Sequence, residues 1–372
     1  MIRWRSARVD AVRAEWPGAV EYAVTVFEEA ARGAGPGTAC RALAYVDLVG
    51  RPQVGDRVMV NVSALERGLG TGGLALVVAD PDRMPADPPA GPGHVVKARY
   101  TPLQAMVLGV DEQESPHHAV LAEADSIDGM PVVTADLHSA LPAVVAGLRA
   151  DRPDAVIAYV MTDGGALPAR FSRTVAGLRE AGWLASCITV GQAYGGDLEA
   201  VTVHTGLLAA RLVVGADVAV VAQGPGNLGT GTRWGFSGTG AGEALNAAHT
   251  LGGLAVASLR VSEADPRPRH RGVSHHSLTA YGRVALVPAQ VPIPLEDSGI
   301  AREVRRQAHE LCAGSGGRLA PVDVPTDGLD AALATSPVRL STMGRGVEDD
   351  RASFVAAAAA GRHAAARIPT RE

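Results

Sequence analysis

The chain has 372 residues, 47% hydrophobic and 20% charged, with a formal net charge of -5, and its 34 basic residues are 33 arginines and the single lysine Lys97. No lysine follows a glycine-rich turn, which excludes a Walker P-loop, and Schiff-base chemistry is left with Lys97 alone. The negative balance argues against bulk nucleic-acid binding, and no stretch of about 20 residues is apolar and uncharged throughout, as a membrane span requires.

Residues 1–80 read as a small β-rich, barrel-like domain. Runs at 20–27, 42–49, 58–62 and 74–78 are rich in Val, Tyr, Phe and Leu, and Gly and Pro punctuate them. The opening stretch carries charges and no continuous apolar core, so no signal peptide is expected. Residues 81–95 are a stiff, proline-rich linker. Lys97, just beyond it, reads as a surface or hinge residue.

Residues 96–296 read as an α/β domain. Short apolar runs at 106–110, 131–135, 155–161, 186–190, 217–222 and 254–261 alternate with helical patterns near 138–150, 169–181, 198–213 and 242–251. A helix also opens at Ser115-Pro116, with Ser as cap and Pro at the first position. Buried apolar strands alternating with helices predict a three-layer, mostly parallel sheet. A further strand over 283–291 is placed at an edge because of Pro288. Residues 297–372 form an α-rich segment: a helix at 300–313, a short strand near 322–324 and an Ala-rich terminal helix expected on the surface. Cys40, Cys187 and Cys312 are far apart, which excludes a CxxC zinc site and a disulfide framework.

In parallel α/β sheets ligands bind beyond the carboxyl ends of the strands. The residues there include His117, Asp136, His138, Asp163, Gln192, Asp265, Arg267, His270, His275 and His276. The loop at 223–242, QGPGNLGTGTRWGFSGTGAG, holds eight glycines in twenty residues. Main-chain N–H groups at Gly224, Gly226, Gly229 and Gly231 would approach an anion, Thr230 and Thr232 would add hydroxyls, and Arg233 would supply charge. The spacing is not that of a dinucleotide fingerprint. The basic loop at Asp265 to Arg271 would hold a carboxylate or phosphate, and a histidine oriented by a carboxylate would serve as acid or base.

Several segments together resemble one protein family. They are WPG at 16–18, LGTGG at 69–73, RYTPLQ at 99–104, ESPHH at 114–118, YVMTDGGALP at 159–168, QGPGNLGTGT with WGFSG, and DPRPRHRGVSHHS at 265–277. The resemblance is to an actinobacterial family catalogued as a domain of unknown function, and it covers essentially the whole chain. It implies no activity and transfers no catalytic residue.

The expectation is a cytoplasmic α/β protein that binds a small anionic or phosphate-bearing ligand at the sheet edge, with a homodimer as one candidate assembly and no membrane or nucleic-acid partner. Gly224, Gly226, Gly229, Thr230, Gly231, Thr232, Arg233, Asp265, Arg267 and Gln192 would bind it. If the protein is hydrolytic, Asp163 and one of His117, His138, His270 or His276 would carry the chemistry. No cofactor and no metal ligand set is assigned. A non-catalytic assembly or regulatory protein and a metal-dependent hydrolase are the alternatives.

Overall fold

A computed structural model describes residues 2–27, 37–69, 71–87, 89 and 91–369. The chain divides into two compact units, Met1–Gly91 and Pro92–Glu372. Pro88 and Ala90 of the proline-rich stretch lie outside the described residues.

The first unit is a closed five-stranded barrel of β1 (Trp4–Trp16), β2 (Ala19–Val26), β3 (Ala39–Tyr45), β4 (Arg57–Asn61) and β5 (Leu74–Ala79), in the order β1-β2-β3-β5-β4. The long β1 pairs with both β2 and β4, and irregularities between Val9 and Ala11 and between Val12 and Ala14 let it coil around the barrel. Val9, Tyr22, Val24, Val58, Val60 and Val77 fill the interior, and the Tyr22 hydroxyl donates to the Pro52 carbonyl at 2.8 Å. Residues 46–49, read from sequence as the end of a strand, are instead a single helical turn, α1 (Val46–Val49).

The second unit begins with an antiparallel ribbon of β6 (Val95–Lys97) and β7 (Ala105–Val107), followed by the short α2 (His118–Leu121). The run at 106–110 is therefore not a full sheet strand. Only its end reaches the sheet, where the Val110 N–H donates to the Glu199 carbonyl at 2.7 Å.

The sheet has eight parallel strands. They are β8 (Pro131–Ala135), β9 (Ile157–Thr162), β10 (Ser186–Thr189), β11 (Leu198–Glu199), β12 (Val218–Gln223), β13 (Leu254–Ala257), β16 (Ala289–Leu295) and β17 (Leu319–Pro325). Their order is β11-β10-β9-β12-β8-β13-β16-β17. A small ribbon of β14 (Val261–Ser262) and β15 (Gly272–Val273) lies between β13 and β16 in sequence. The helices are α3 (Leu141–Asp151), α4 (Arg173–Glu180), α5 (Val203–Leu212), α6 (Gly240–Thr250), α7 (His275–Thr279), α8 (Gly299–Ala313), α9 (Leu329–Ala334) and α10 (Arg351–Ala365).

Strand side chains alternate between two cores. Val132, Ala158, Val160, Ala219 and Val221 pack with α5, α6 and α8. Val133, Ile157, Tyr159, Val218 and Val220 pack with α3, α4, α9 and α10. Helices cover both faces, so the strands are apolar without interruption. The result is a three-layer α/β unit.

Further expectations are corrected. Residues 280–284 continue α7 as a π-helical turn, so the strand foreseen at 283–291 is β16 at 289–295. It lies between β13 and β17 rather than at an edge. Pro292 and Pro294 have no N–H to give, and pairing with β13 is confined to Val256 and Gln290 while the whole strand pairs with β17. The helix foreseen at 198–213 starts at 203, where the Thr202 hydroxyl accepts from the Thr205 N–H, because 198–199 is strand β11.

Lys97 is not at the surface but 1% exposed, and its ammonium donates to the Ala193 and Ala200 carbonyls at 2.9 and 2.8 Å. Burial lowers its pKa, and Glu199, 3.5 Å away, opposes that shift. The Ala-rich terminal helix is also not a surface helix. Residues Phe354 to Gly361 of α10 are buried, and small side chains let its backbone approach that of α3.

Candidate functional site

Parallel strands send their carboxyl ends to one edge. At the centre of this sheet, α3 leaves β8 toward one face and α6 leaves β12 toward the other. Two neighbouring strands whose chains depart to opposite faces open a crevice between them. The loops after β12, β8 and β13 enclose a cavity of about 390 Å³ there.

The loop after β8 contributes Leu137, His138 and Ser139, and the loop after β12 contributes Pro225, Gly226, Asn227, Gly229 and Gly231. The segment after β13 contributes Arg260, Arg267, Arg269, His270, His275 and His276. Three arginines and four histidines thus line the cavity, and no carboxylate does among the described lining residues. The nearest carboxylates stand behind the lining. Asp265 takes a two-pronged bond from Arg267, at 2.9 and 2.8 Å. That bond chiefly holds the Asp265 carboxyl well below the usual range. Buried Asp136 lies 3.5 Å from Arg260 and 3.4 Å from His276. Burial would raise its pKa, but the His276 and Arg260 contacts outweigh it and the net shift is downward. Arg269 has no ion-pair partner among the described residues, which leaves its charge for a ligand.

Local structure explains the histidine cluster. Ser274 caps α7, its hydroxyl accepting from the His276 N–H at 3.2 Å, which sets His275 and His276 in the first turn. The same hydroxyl meets His270 Nδ1 at 2.8 Å. Arg260 donates to His276 Nδ1 at 2.9 Å, and Phe236 stacks on the His276 ring with centroids 3.8 Å apart. His270 and His275 are held neutral at pH 7. Burial first, then neighbouring Arg and His groups, lowers their pKa values to about 3 and about 4.

His138 has a different character. Tyr159 donates its hydroxyl proton to backbone carbonyls of Ala222 and Gln223, at 3.2 and 3.0 Å. His138 Nδ1–H can then donate to that hydroxyl oxygen at 3.0 Å while Nε2 accepts from Ser172 at 2.7 Å. Both ring nitrogens are satisfied in the neutral form, and burial lowers the pKa to about 4. His363 on α10 is likewise lowered to about 4, by burial and then by Arg367. A group whose folded pKa lies below its unfolded value binds its proton on unfolding, so stability is lost as pH falls from about 6.5 toward 4. The urea midpoint should therefore be lower at pH 5 than at pH 7. His363→Gln should flatten that slope, and a midpoint insensitive to pH over this range would contradict it.

The glycine loop spends its hydroxyls on itself. Thr230 N–H donates to the Gly235 carbonyl at 2.7 Å, the Thr230 and Thr232 hydroxyls are 3.1 Å apart, and Gly235 N–H donates to the Thr232 hydroxyl at 3.1 Å. A Cβ on Gly235 would lie 2.6 Å from that hydroxyl, so a side chain there would displace the threonine hydroxyls that close the turn. What the loop offers the cavity is backbone at Gly226, Gly229 and Gly231, beside Pro225 and Asn227. Residues 237–240, which lead into α6, do not line it.

The other foreseen residues lie elsewhere. Asp163 accepts from the Gln192 N–H at 2.8 Å, and Gln192 accepts from the Arg99 N–H at 2.9 Å, so these two form their own cluster. His117 stands in the turn before α2. Gly224 N–H donates to the Thr162 carbonyl at 3.1 Å. None of these lines the cavity, and neither do Thr230, Thr232, Arg233 and Asp265.

A family model described as protein of unknown function (DUF3866) matches residues 41–361, a span that includes every cavity loop. The chain belongs to the DUF3866 family. No curated protein and no solved structure matches it. Among the described residues of this DUF3866 chain, no helix is long and apolar enough to cross a membrane.

Sequence reasoning missed three parts of the DUF3866 site. Arg260 lies inside the run read as a strand at 254–261, just past the end of β13, and a charge within an apolar run was the available signal. Phe236 was hidden inside the glycine loop. Met343 arrives from a segment some 70 residues beyond His276 and carried no signal at all. A second, wider cavity of about 760 Å³ shares Arg269 and His275 with the first, and Arg233 of the glycine loop lines that one.

Proposed function

We propose that this protein binds a small oxyanion, a phosphate or carboxylate group of a larger metabolite, in the cavity beyond β12, β8 and β13. The observation that carries the reading is the lining itself: three arginines, four histidines and exposed glycine backbone, with no carboxylate among the described lining residues. Arg269 supplies the free charge. Arg267 is held by Asp265 and Arg260 by Asp136 and His276, so these two present fixed N–H groups rather than mobile ones. Backbone at Gly226, Gly229 and Gly231 can approach the ligand without side-chain obstruction. The volume suits a phosphate-bearing small molecule rather than a polymer. Asp163 and His117 line neither cavity, so the reading is of binding, with His138, His270, His275 and His276 as the histidines that face the ligand.

The test is thermal unfolding of chelator-treated protein against inorganic phosphate and pyrophosphate. Saturable stabilisation is expected, approaching about 2.7 kcal/mol at a hundredfold excess over Kd. Arg269→Ala should weaken binding by about 10- to 100-fold, as loss of a charge-assisted contact does. Arg8→Ala, at an exposed barrel position, should leave it unchanged. Equal shifts in the Arg269 variant and the parent would contradict the reading.

A further inference from the structure

We propose that His270, His275 and His276 form a three-histidine site for a divalent transition metal, zinc by its ligand set. One ring nitrogen from each lies within 4.8 Å of those of the other two. The ring centroids are 4.9, 5.0 and 4.4 Å apart. Three imidazoles on one tetrahedral zinc, with Zn–N near 2.0–2.1 Å, place their centroids about 5 Å apart, so the ring spacing already fits, and ring rotation must draw the nitrogens in to about 3.3 Å of one another.

The hydrogen bonds point the same way. His270 spends Nδ1 on Ser274 and His276 spends Nδ1 on Arg260, which leaves Nε2 of each. His275 Nε2 is buried with no hydrogen-bond partner among the described residues. A buried polar atom without a partner is costly, and a metal ion is one way to recover that cost. Asp136 supplies what a ligating histidine needs behind it. Its Oδ2 is buried and without a hydrogen-bond partner, and it stands 3.4 Å from His276 Nδ1. When His276 Nε2 gives its lone pair to the metal, the ring proton moves to Nδ1 and donates to Asp136, and Arg260 turns from the ring toward the same carboxylate. Asp136 is thus a positioning residue.

The surrounding arginines would repel a bare cation. Three neutral ligands also leave the ion its full charge and an open fourth position. Both features are answered by an oxyanion as fourth ligand, held by Arg269. The anion's place on the metal rests on the reading proposed above, whereas the three-histidine site stands without it.

The test is titration of chelator-treated, full-length protein with zinc chloride by calorimetry, and with cobalt(II) followed by visible absorption. One ion per chain is expected, with the intense visible bands of tetrahedral cobalt. His275→Ala, the least buried of the three, should keep its fold by circular dichroism and lose both signals. Asp136→Asn should bind zinc about 10- to 100-fold more weakly. Absence of one-to-one binding in the parent protein, or parent-like binding by His275→Ala, overturns the proposal. Phosphate stabilisation of the metal-free protein without zinc binding would remove the metal site and leave the anion site. Zinc binding without phosphate stabilisation would do the reverse.

Discussion

Gly361→Ala is expected to destabilise the second unit by about 3 kcal/mol, although alanine normally stabilises a helix interior by roughly 0.5–1 kcal/mol relative to glycine. The reversal of sign comes from the crossing of α10 and α3. A Cβ on Gly361 would lie 2.8 Å from the Val144 carbonyl carbon and closer still to its oxygen. The contact is reciprocal, since a Cβ on Gly147 would lie 2.6 Å from the Ala358 carbonyl carbon. Backbone meets backbone at both points, so no flexible side chain can yield, and the helices must separate along a core packed to crystal-like density. Gly299→Ala is the control. Gly299 opens α8, and a Cβ added there would meet nothing within 4 Å, so that change should be neutral or mildly stabilising. Urea unfolding followed by circular dichroism decides the matter, and a Gly361 variant as stable as the parent would refute the close crossing.

Asp350→Ala should cost about 3–5 kcal/mol, the usual penalty for breaking a buried charge pair. Asp350 is fully buried at the start of α10. It accepts from the Ser262 hydroxyl at 2.6 Å, the Glu263 N–H at 2.9 Å and Arg345 Nε at 2.9 Å. Arg345 also reaches Asp265 at 3.4 Å, and Asp265 grips Arg267. The chain of contacts ties the segment bearing the arginines and histidines to the terminal helix. Removing the carboxylate strands Arg345 Nε and two other donors, leaving Arg345 only its longer contact with Asp265, so amide exchange over residues 260–277 should quicken as stability falls. Asp350→Asn keeps an acceptor and the shape, and should lose less. Unchanged exchange and an unchanged urea midpoint in the alanine variant would show that the clamp does not hold the loop.

The central strands were legible because burial on both faces makes each one a continuous apolar run, as at 131–135 and 218–222. Strand β1 was harder to read: buried Ala7 and Val9 alternate with the outward Arg8 and Asp10, but its many charges mask the period. The terminal helix was not legible. Alanine suits a surface helix and a tight helix crossing equally, and what decides between them is the pairing of Gly361 with Val144, more than 200 residues earlier. Lys97 failed for a similar reason. A lysine stem buries readily once the ammonium finds carbonyls, and those of Ala193 and Ala200 lie about 100 residues away. At the site, all six strand ends looked polar. Which of them share a cavity depends on the order β12-β8-β13, and no local pattern spells that order. Asp163 and Gln192 therefore fell outside it, while the histidines after β13 fell inside.

Crystals of the full chain grown with tungstate, a heavy analogue of phosphate, test the oxyanion site most directly. The expected result is one strong anomalous peak in the cavity, within hydrogen-bond distance of Arg269 and of the backbone between Gly226 and Gly231. Tungstate found only on surface arginines, with this cavity holding nothing but solvent at saturating concentration, would contradict the account.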